Sequence, residues 1–115
     1  MKSVRAPLAV PVEIRVDARA DARRVFRLAA SVGEDGVRLV RPAPFEIGRP
    51  VTVRFALPTA GAAPLALDAE LLHADLDDER RHEGEGGREL TFLHPPAEAR
   101  EAIRAYVRAR LSLPE

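Results

Sequence analysis

The sequence predicts a mostly β protein, a small six-stranded antiparallel barrel followed by one C-terminal α-helix. Three observations predict it. Apolar and polar residues alternate in six short runs, the period of a strand with one face on a core. Connections rich in glycine, proline and charge separate those runs. After Pro95 and Pro96 the apolar spacing changes, once, from two to the helical three-and-four pattern. Closing such strands into a barrel removes exposed sheet edges and leaves the helix as a lid or a contact surface.

The first run, Leu8 to Val16, sets Val10, Val12, Ile14 and Val16 on one face and Glu13 and Arg15 on the other. Pro11 lacks a donor for a ladder, so it belongs at the strand start or on an unpaired side. Asp17 to Arg24 is charged and alanine-rich with no period, and reads as a loop. Val25 to Ala30 is the second strand, with Phe26, Leu28 and Ala30 expected inward and Arg27 outward. Ser31-Val-Gly-Glu-Asp-Gly-Val-Arg-Leu39 follows as a tight polar connection into the strand Val37 to Val40. Its two glycines supply the positive φ a tight turn uses and permit close approach of a ligand, so the turn is either plain hairpin chemistry or a binding site.

Pro42 and Pro44 end that strand, and Phe45, Ile47 and Gly48 close a loop. Val51, Val53, Phe55 and Leu57 form the inward row of the fourth strand, and Pro58 to Pro64 is the next connection. Leu65, Leu67, Ala69 and Leu71 form the fifth, which runs to about Ala74 and breaks its alternation at Leu72 and His73, the mark of a bulge or corner. Asp75 to Gly87 is a charged, glycine-bearing arm that no core absorbs. Arg88 to Leu93 returns as the sixth strand with Leu90 and Phe92 inward. Ala99, Ala102, Ile103, Tyr106, Val107 and Leu111 then mark an amphipathic helix over about 97–111, with Pro95 and Pro96 suited to its start.

A chain of 115 residues is expected to form one domain, residues 1–115, with the barrel over about 8–93. It holds no cysteine, which excludes disulfides and thiolate chemistry and fits a cytoplasmic location. No apolar stretch of signal-peptide or membrane-spanning length occurs. Basic and acidic residues balance at 18 each, so no broad field attracts extended nucleic acid. Its few aromatics (Phe26, Phe45, Phe55, Phe92, Tyr106) lie mostly in rows expected to be buried, which leaves few platforms for single-stranded bases. Lys2 is the sole lysine beside many arginines. That bias fits a GC-rich genome and also suits bidentate anion contact.

No residue pattern carries catalysis. Ser31 lacks an activating base and a Gly-x-Ser-x-Gly elbow, and Glu34 and Asp35 are adjacent turn residues that point different ways. His73, His82 and His94 lie on different elements without ligand spacing, and the acids of the arm lack calcium-loop spacing, so no metal is expected. Arg23 and Arg27, four apart on one strand face, either grip one anion together or are simply solvated. No catalytic residue and no required cofactor is assigned.

Arg5-Ala-Pro-Leu-Ala-Val-Pro-Val-Glu-Ile-Arg15, the Ser31 to Leu39 turn, Phe45-Glu-Ile-Gly-Arg-Pro-Val-Thr-Val-Arg-Phe-Ala-Leu-Pro58, Glu89-Leu-Thr-Phe-Leu93 and the final helix together resemble the PilZ domain, the small bacterial barrel known as a receptor for cyclic di-GMP. That family's ligand signature is Arg-x-x-x-Arg near the first strand and Asp/Asn-x-Ser-x-x-Gly at the second hairpin. The guanidinium groups hold phosphates and stack on guanines, and the short polar side chains and glycine backbone hold base edges and phosphate. In this sequence Arg5 takes the place of the second arginine, and Met1 stands where the first belongs. With Gly36 as the signature glycine, Ser31 falls at the acidic position and Gly33 at the serine position. A register with Ser31 as the signature serine needs two extra residues before Gly36.

The resemblance therefore implies a non-enzymatic signalling or adaptor domain with a degraded cyclic di-GMP site at Arg5, Ser31, Gly33 and Gly36, auxiliary anion contacts from Arg23 and Arg27 left open. Losing one arginine and one carboxylate removes about 3–6 kcal/mol of charge-assisted bonding, which shifts a micromolar receptor to millimolar or weaker. Weak or absent cyclic di-GMP binding and a protein partner reached through the helix face or the arm are expected. The alternative is a working receptor using Arg5, Arg23, Arg27 and the Ser31 to Gly36 turn.

Overall fold

The computed structural model describes residues 4–18, 21–45, 48–59, 61–72 and 88–111. Seven strands and one helix occur in the order β1 (Ala6–Pro7), β2 (Pro11–Ala18), β3 (Asp21–Gly33), β4 (Gly36–Leu39), β5 (Pro50–Phe55), β6 (Leu65–Leu72), β7 (Glu89–Phe92) and α1 (Ala97–Leu111). Neighbours run β1-β3-β2-β5-β6-β7-β4, and β3 also pairs with β4. That last pairing closes six strands into a barrel, with β1 as a two-residue addition along β3. Every pairing is antiparallel. The six-stranded barrel with a C-terminal helix is thus the architecture the alternation predicts.

Rows of the barrel interior follow the sequence period where it is unbroken. Val12, Ile14 and Val16 of β2, Val51, Val53 and Phe55 of β5, Leu67, Ala69 and Leu71 of β6, and Leu90 and Phe92 of β7 are all buried. Pro11 opens β2, where its missing N–H does least harm. Phe55 and Phe92 stack at 6.4 Å between ring centroids. The helix adds Ala99, Ile103, Tyr106 and Val107 to the same core. Full burial of a side chain such as Ile103 contributes about 1.5–3 kcal/mol from removing it from water. The Tyr106 hydroxyl donates to the Pro7 carbonyl at 2.7 Å, which ties the helix to β1.

Two expectations are corrected on β3. Asp17 to Arg24 is not one loop: β2 and β3 pair continuously from Pro11↔Leu28 to Ala18↔Asp21, so Asp17, Ala18 and Asp21 to Arg24 are strand. The backbone ladder continues past the last apolar position, and a ladder beyond the core leaves no hydrophobic period to read. The second correction concerns facing. Phe26, Leu28 and Ala30 point outward, while Ala29 and Val32 are buried and Val25 packs against the core. Directly opposed residues share a face, and Ile14↔Val25 is an inward pair whereas Glu13↔Phe26 is an outward one. The pairing with β4 then slips, from Ala29↔Leu39 to Ser31↔Arg38, so Ala30 is an extra, bulged residue. Phe26 and Val32 have the same parity in sequence and opposite faces in the barrel because of that bulge.

The arm from Asp75 to Gly87 and the irregularity expected at His73 lie outside the described residues. The final helix begins where Pro95 and Pro96 fix the backbone, and the Arg100 amide donates to the Pro96 carbonyl at 3.0 Å. Glu98 in its first turn and Arg108 and Arg110 in its last complement the helix dipole.

Candidate functional site

Glu34 and Asp35 form a two-residue connection between the paired ends Gly33 and Gly36. The expected source of that turn's glycines is corrected by their backbone angles. Among the described residues the glycines with positive φ are Gly48 and Gly61, so neither Gly33 nor Gly36 is there for a left-handed conformation. Gly36 is needed for a different reason. A Cβ on it would overlap the carbonyl oxygen of Leu90 and stand 3.3 Å from the Thr91 Cα, so β4 lies against β7 only without a side chain here. The Phe92 amide also donates to the Asp35 carbonyl at 2.9 Å, which fastens the turn to β7.

Arginines from both ends of the chain close on this turn. The pairs Ala6↔Val32 and Pro7↔Ser31 bring Arg5 alongside it. Arg5 Nη2 donates to Asp35 Oδ1 at 3.2 Å and forms an ion pair with Glu89 Oε1, a β7 residue opposite Arg38. Partial burial opposes the charge on Arg5, yet the bond and charge of Glu89, joined by those of Asp35, outweigh it and hold the guanidinium pKa above its usual value. From the other side, Arg104 grips Glu34 with both prongs, Nε to Oε2 at 3.2 Å and Nη2 to Oε1 at 2.8 Å. Arg100 Nε lies 3.9 Å from the same carboxylate. The Arg104 hydrogen bond, against a smaller desolvation effect and with the nearby positive charges, holds the Glu34 pKa below the ordinary carboxylate value.

Of the residues marked by the sequence, Arg5, Gly33 and Gly36 gather at this turn, with Ser31 half-buried on β3 opposite Pro7 and Arg38. Arg23 and Arg27 do not join them. Arg23 Nη2 donates to the Pro44 carbonyl at 3.1 Å with its guanidinium 5.1 Å from the Phe45 ring centroid. Arg27 donates through Nε to the Pro42 carbonyl at 3.0 Å and through Nη1 to the Phe26 carbonyl at 2.9 Å. The two hold the 42–45 loop. At roughly 3.3 Å per residue Arg23 stands up to about 33 Å and Arg27 up to about 20 Å along β3 from Gly33.

The residues that sequence reasoning missed are the carboxylate partners and the helix arginines. Glu34 and Asp35 stand out as turn carboxylates, but nothing local marks them as the acceptors of Arg5, Arg100 and Arg104. A separate groove of about 540 Å³ lies on the wall of β2, β5 and β6, lined among others by Arg15, Arg49, Thr52, Asp68 and His94. His94 has φ 47°, the positive-φ non-glycine among the described residues. Among those residues no group of three potential metal-binding side chains occurs, and no helix is long and apolar enough to cross a membrane.

The family model "PilZ domain" matches residues 1–109, and the chain belongs to the PilZ domain family, the family of cyclic di-GMP receptors. Among solved structures, its fold is similar to that titled "Structure of Bacillus subtilis Inhibitor of motility (MotI/DgrA)", with a TM-score of 0.72 and 15% identity. The match covers 100% of this chain and 53% of that one, so the chain spans about half of that protein's length. A comparison with curated proteins found no match.

Proposed function

We propose that the chain is a non-enzymatic PilZ-type signalling domain whose cyclic di-GMP site has largely lapsed and which acts through protein contacts. The barrel and helix together form one such unit, working in the cytoplasm. The observation that supports this reading is the state of Arg5. The one arginine at a signature position is already engaged by two carboxylates, Asp35 and Glu89. A phosphate reaching Arg5 has to displace them, giving up charge-assisted bonds worth about 1.5–3 kcal/mol each.

The rest of the signature adds little to oppose that loss. Met1 occupies the other arginine's position, and Ser31 and Gly33 supply neither a carboxylate nor a second hydroxyl. The receptor alternative needs Arg23 and Arg27 beside Arg5, and their anchoring to the Pro42 and Pro44 carbonyls weighs against it. Isothermal calorimetry of the full chain with cyclic di-GMP is the test. The expected result is no saturable heat at micromolar ligand, and a low-micromolar dissociation constant that Arg5→Ala abolishes refutes the proposal.

A further inference from the structure

Three large apolar side chains stand together on the outside of the barrel: Phe26 is 57% exposed, Leu28 50% and Val40 46%. The backbone makes them neighbours. The Val40 amide donates to the Leu28 carbonyl at 2.9 Å, and Leu28 faces Pro11 across β2. Val40, Leu28 and Pro11 therefore form one row across three adjacent segments, with Phe26 in the next row along β3 about 7 Å away. Scattered exposed apolar residues are ordinary, but a contiguous cluster marks a contact surface.

The bulge at Ala30 gives the cluster its significance. Without it, the alternation that buries Val32 would bury Phe26 and Leu28 as well. The strand departs from its simple period, and the residues turned out by that departure are the largest exposed apolar groups of β3.

Charge identifies what fits there. Arg24 follows Phe26 along the outer face, its guanidinium 6.0 Å from the ring centroid and 3.8 Å from the Glu13 carboxylate. Arg15 lies opposite Arg24, Arg54 lies opposite Glu13, and the exposed Arg41 follows Val40. Among the described residues of these rows the acids are Glu13 and, at the far end of the Arg24–Arg15–Thr52 row, Asp68, so the border next to the cluster is predominantly cationic. A second copy of the chain set face to face would bring arginine against arginine. A lipid surface with anionic headgroups would bring negative charge against the exposed-face carboxylate of Glu13 beside the cluster, which disfavours it there.

We propose that the outer face of β3 around Phe26, Leu28 and Val40 is a docking surface for a short apolar segment of a partner protein flanked by aspartate or glutamate. The proposal rests on the reading that this domain works through protein contacts, and it names the surface and the chemistry of the partner. The apolar residues enter the Phe26–Leu28–Val40 cluster, and the flanking carboxylates meet Arg24 and Arg54.

The test pans the full chain against a phage-displayed library of random peptides, in parallel with a Phe26→Ser, Leu28→Ser double variant and an Arg24→Glu, Arg54→Glu double variant. Enrichment of peptides that combine two or more large apolar residues with flanking Asp or Glu is expected. Their affinity falls at least about tenfold in the serine variant, a loss typical of central anchors, and several-fold in the charge variant. Circular dichroism at the panning temperature that matches the parent separates a lost contact from a lost fold, the charge variant melting lower because it sets glutamates beside and opposite Glu13. The proposal is overturned if no such peptides enrich or if they bind the serine variant equally well. Concentration-dependent dimers in sedimentation that the serine variant abolishes overturn it in favour of self-association, and binding to phosphatidylserine vesicles lost in the same variant overturns it in favour of a membrane. Tight cyclic di-GMP binding in calorimetry refutes the parent reading of a lapsed site and leaves the peptide result standing on its own.

Discussion

Arg5 and Glu89 offer a direct measurement of how firmly the signature arginine is held. Their side chains are 23% and 14% exposed, so the pair is partly withdrawn from water. At an effective dielectric constant of about 20, charges about 4 Å apart attract by roughly 4 kcal/mol before desolvation is counted. Desolvation of both groups and screening on the exposed side of Arg5 reduce that to a net coupling of about 1.5–3 kcal/mol. The experiment is a double-mutant cycle with Arg5→Gln, Glu89→Gln and both together, each unfolded in urea and followed by circular dichroism. Glu89→Gln alone is expected to lower the melting temperature by about 6–12 °C, since 1 kcal/mol corresponds to roughly 4 °C at this size. Both singles lose stability, and the double variant loses clearly less than their sum. A coupling below about 0.5 kcal/mol would show that Arg5 is not held by Glu89 and would remove the main support for a lapsed ligand site.

Two other perturbations probe the same turn. Gly36→Ala forces a methyl group into the Leu90 carbonyl and is expected to lower stability by more than about 3 kcal/mol or to prevent soluble expression, whereas Gly61→Ala, at positive φ with open space around it, costs only about 1 kcal/mol; equal melting temperatures for the two would refute the close approach of β4 to β7. Glu34 has a folded pKa below its unfolded value of about 4.3, so its bond to Arg104 stabilises the fold above that value and the contribution disappears as pH falls through the folded pKa. Glu34→Gln should therefore melt below the parent at pH 7 and together with it near pH 2, with the gap narrowing in high salt, and a gap that persists in acid would contradict this assignment.

The parts of the fold legible in the sequence are those in which one period runs without interruption. Val12 to Val16, Val51 to Phe55, Leu67 to Leu71 and the Ala99, Ile103, Tyr106 and Val107 stripe each point one way from end to end, and the barrel with its helix follows from them. β3 misled on both counts because its structure departs from that period. Its first residues pair with β2 without needing apolar side chains, and its bulge inverts the count between Phe26 and Val32. For the candidate site, the turn and Arg5 were visible through the family's signature. Arg104 was visible only as a helix arginine, because a contact spanning 70 residues leaves no periodic trace at either end.

The turn at Glu34 and Asp35 also constrains the order in which the chain assembles. The β3–β4 hairpin is local in sequence, but the contacts that fasten it reach 30 residues back to Arg5 and 70 forward to Arg104, and the Tyr106 to Pro7 bond spans 99. Contacts of such separation carry the largest loop-closure entropy and form late on the folding path. The ion pairs on this turn then act mainly as a latch that slows unfolding, with little effect on the rate at which the barrel first forms. During synthesis β1 can pair with β3 once residue 32 has emerged, but its tie to the helix through Tyr106 waits until the C-terminal part of the domain is made.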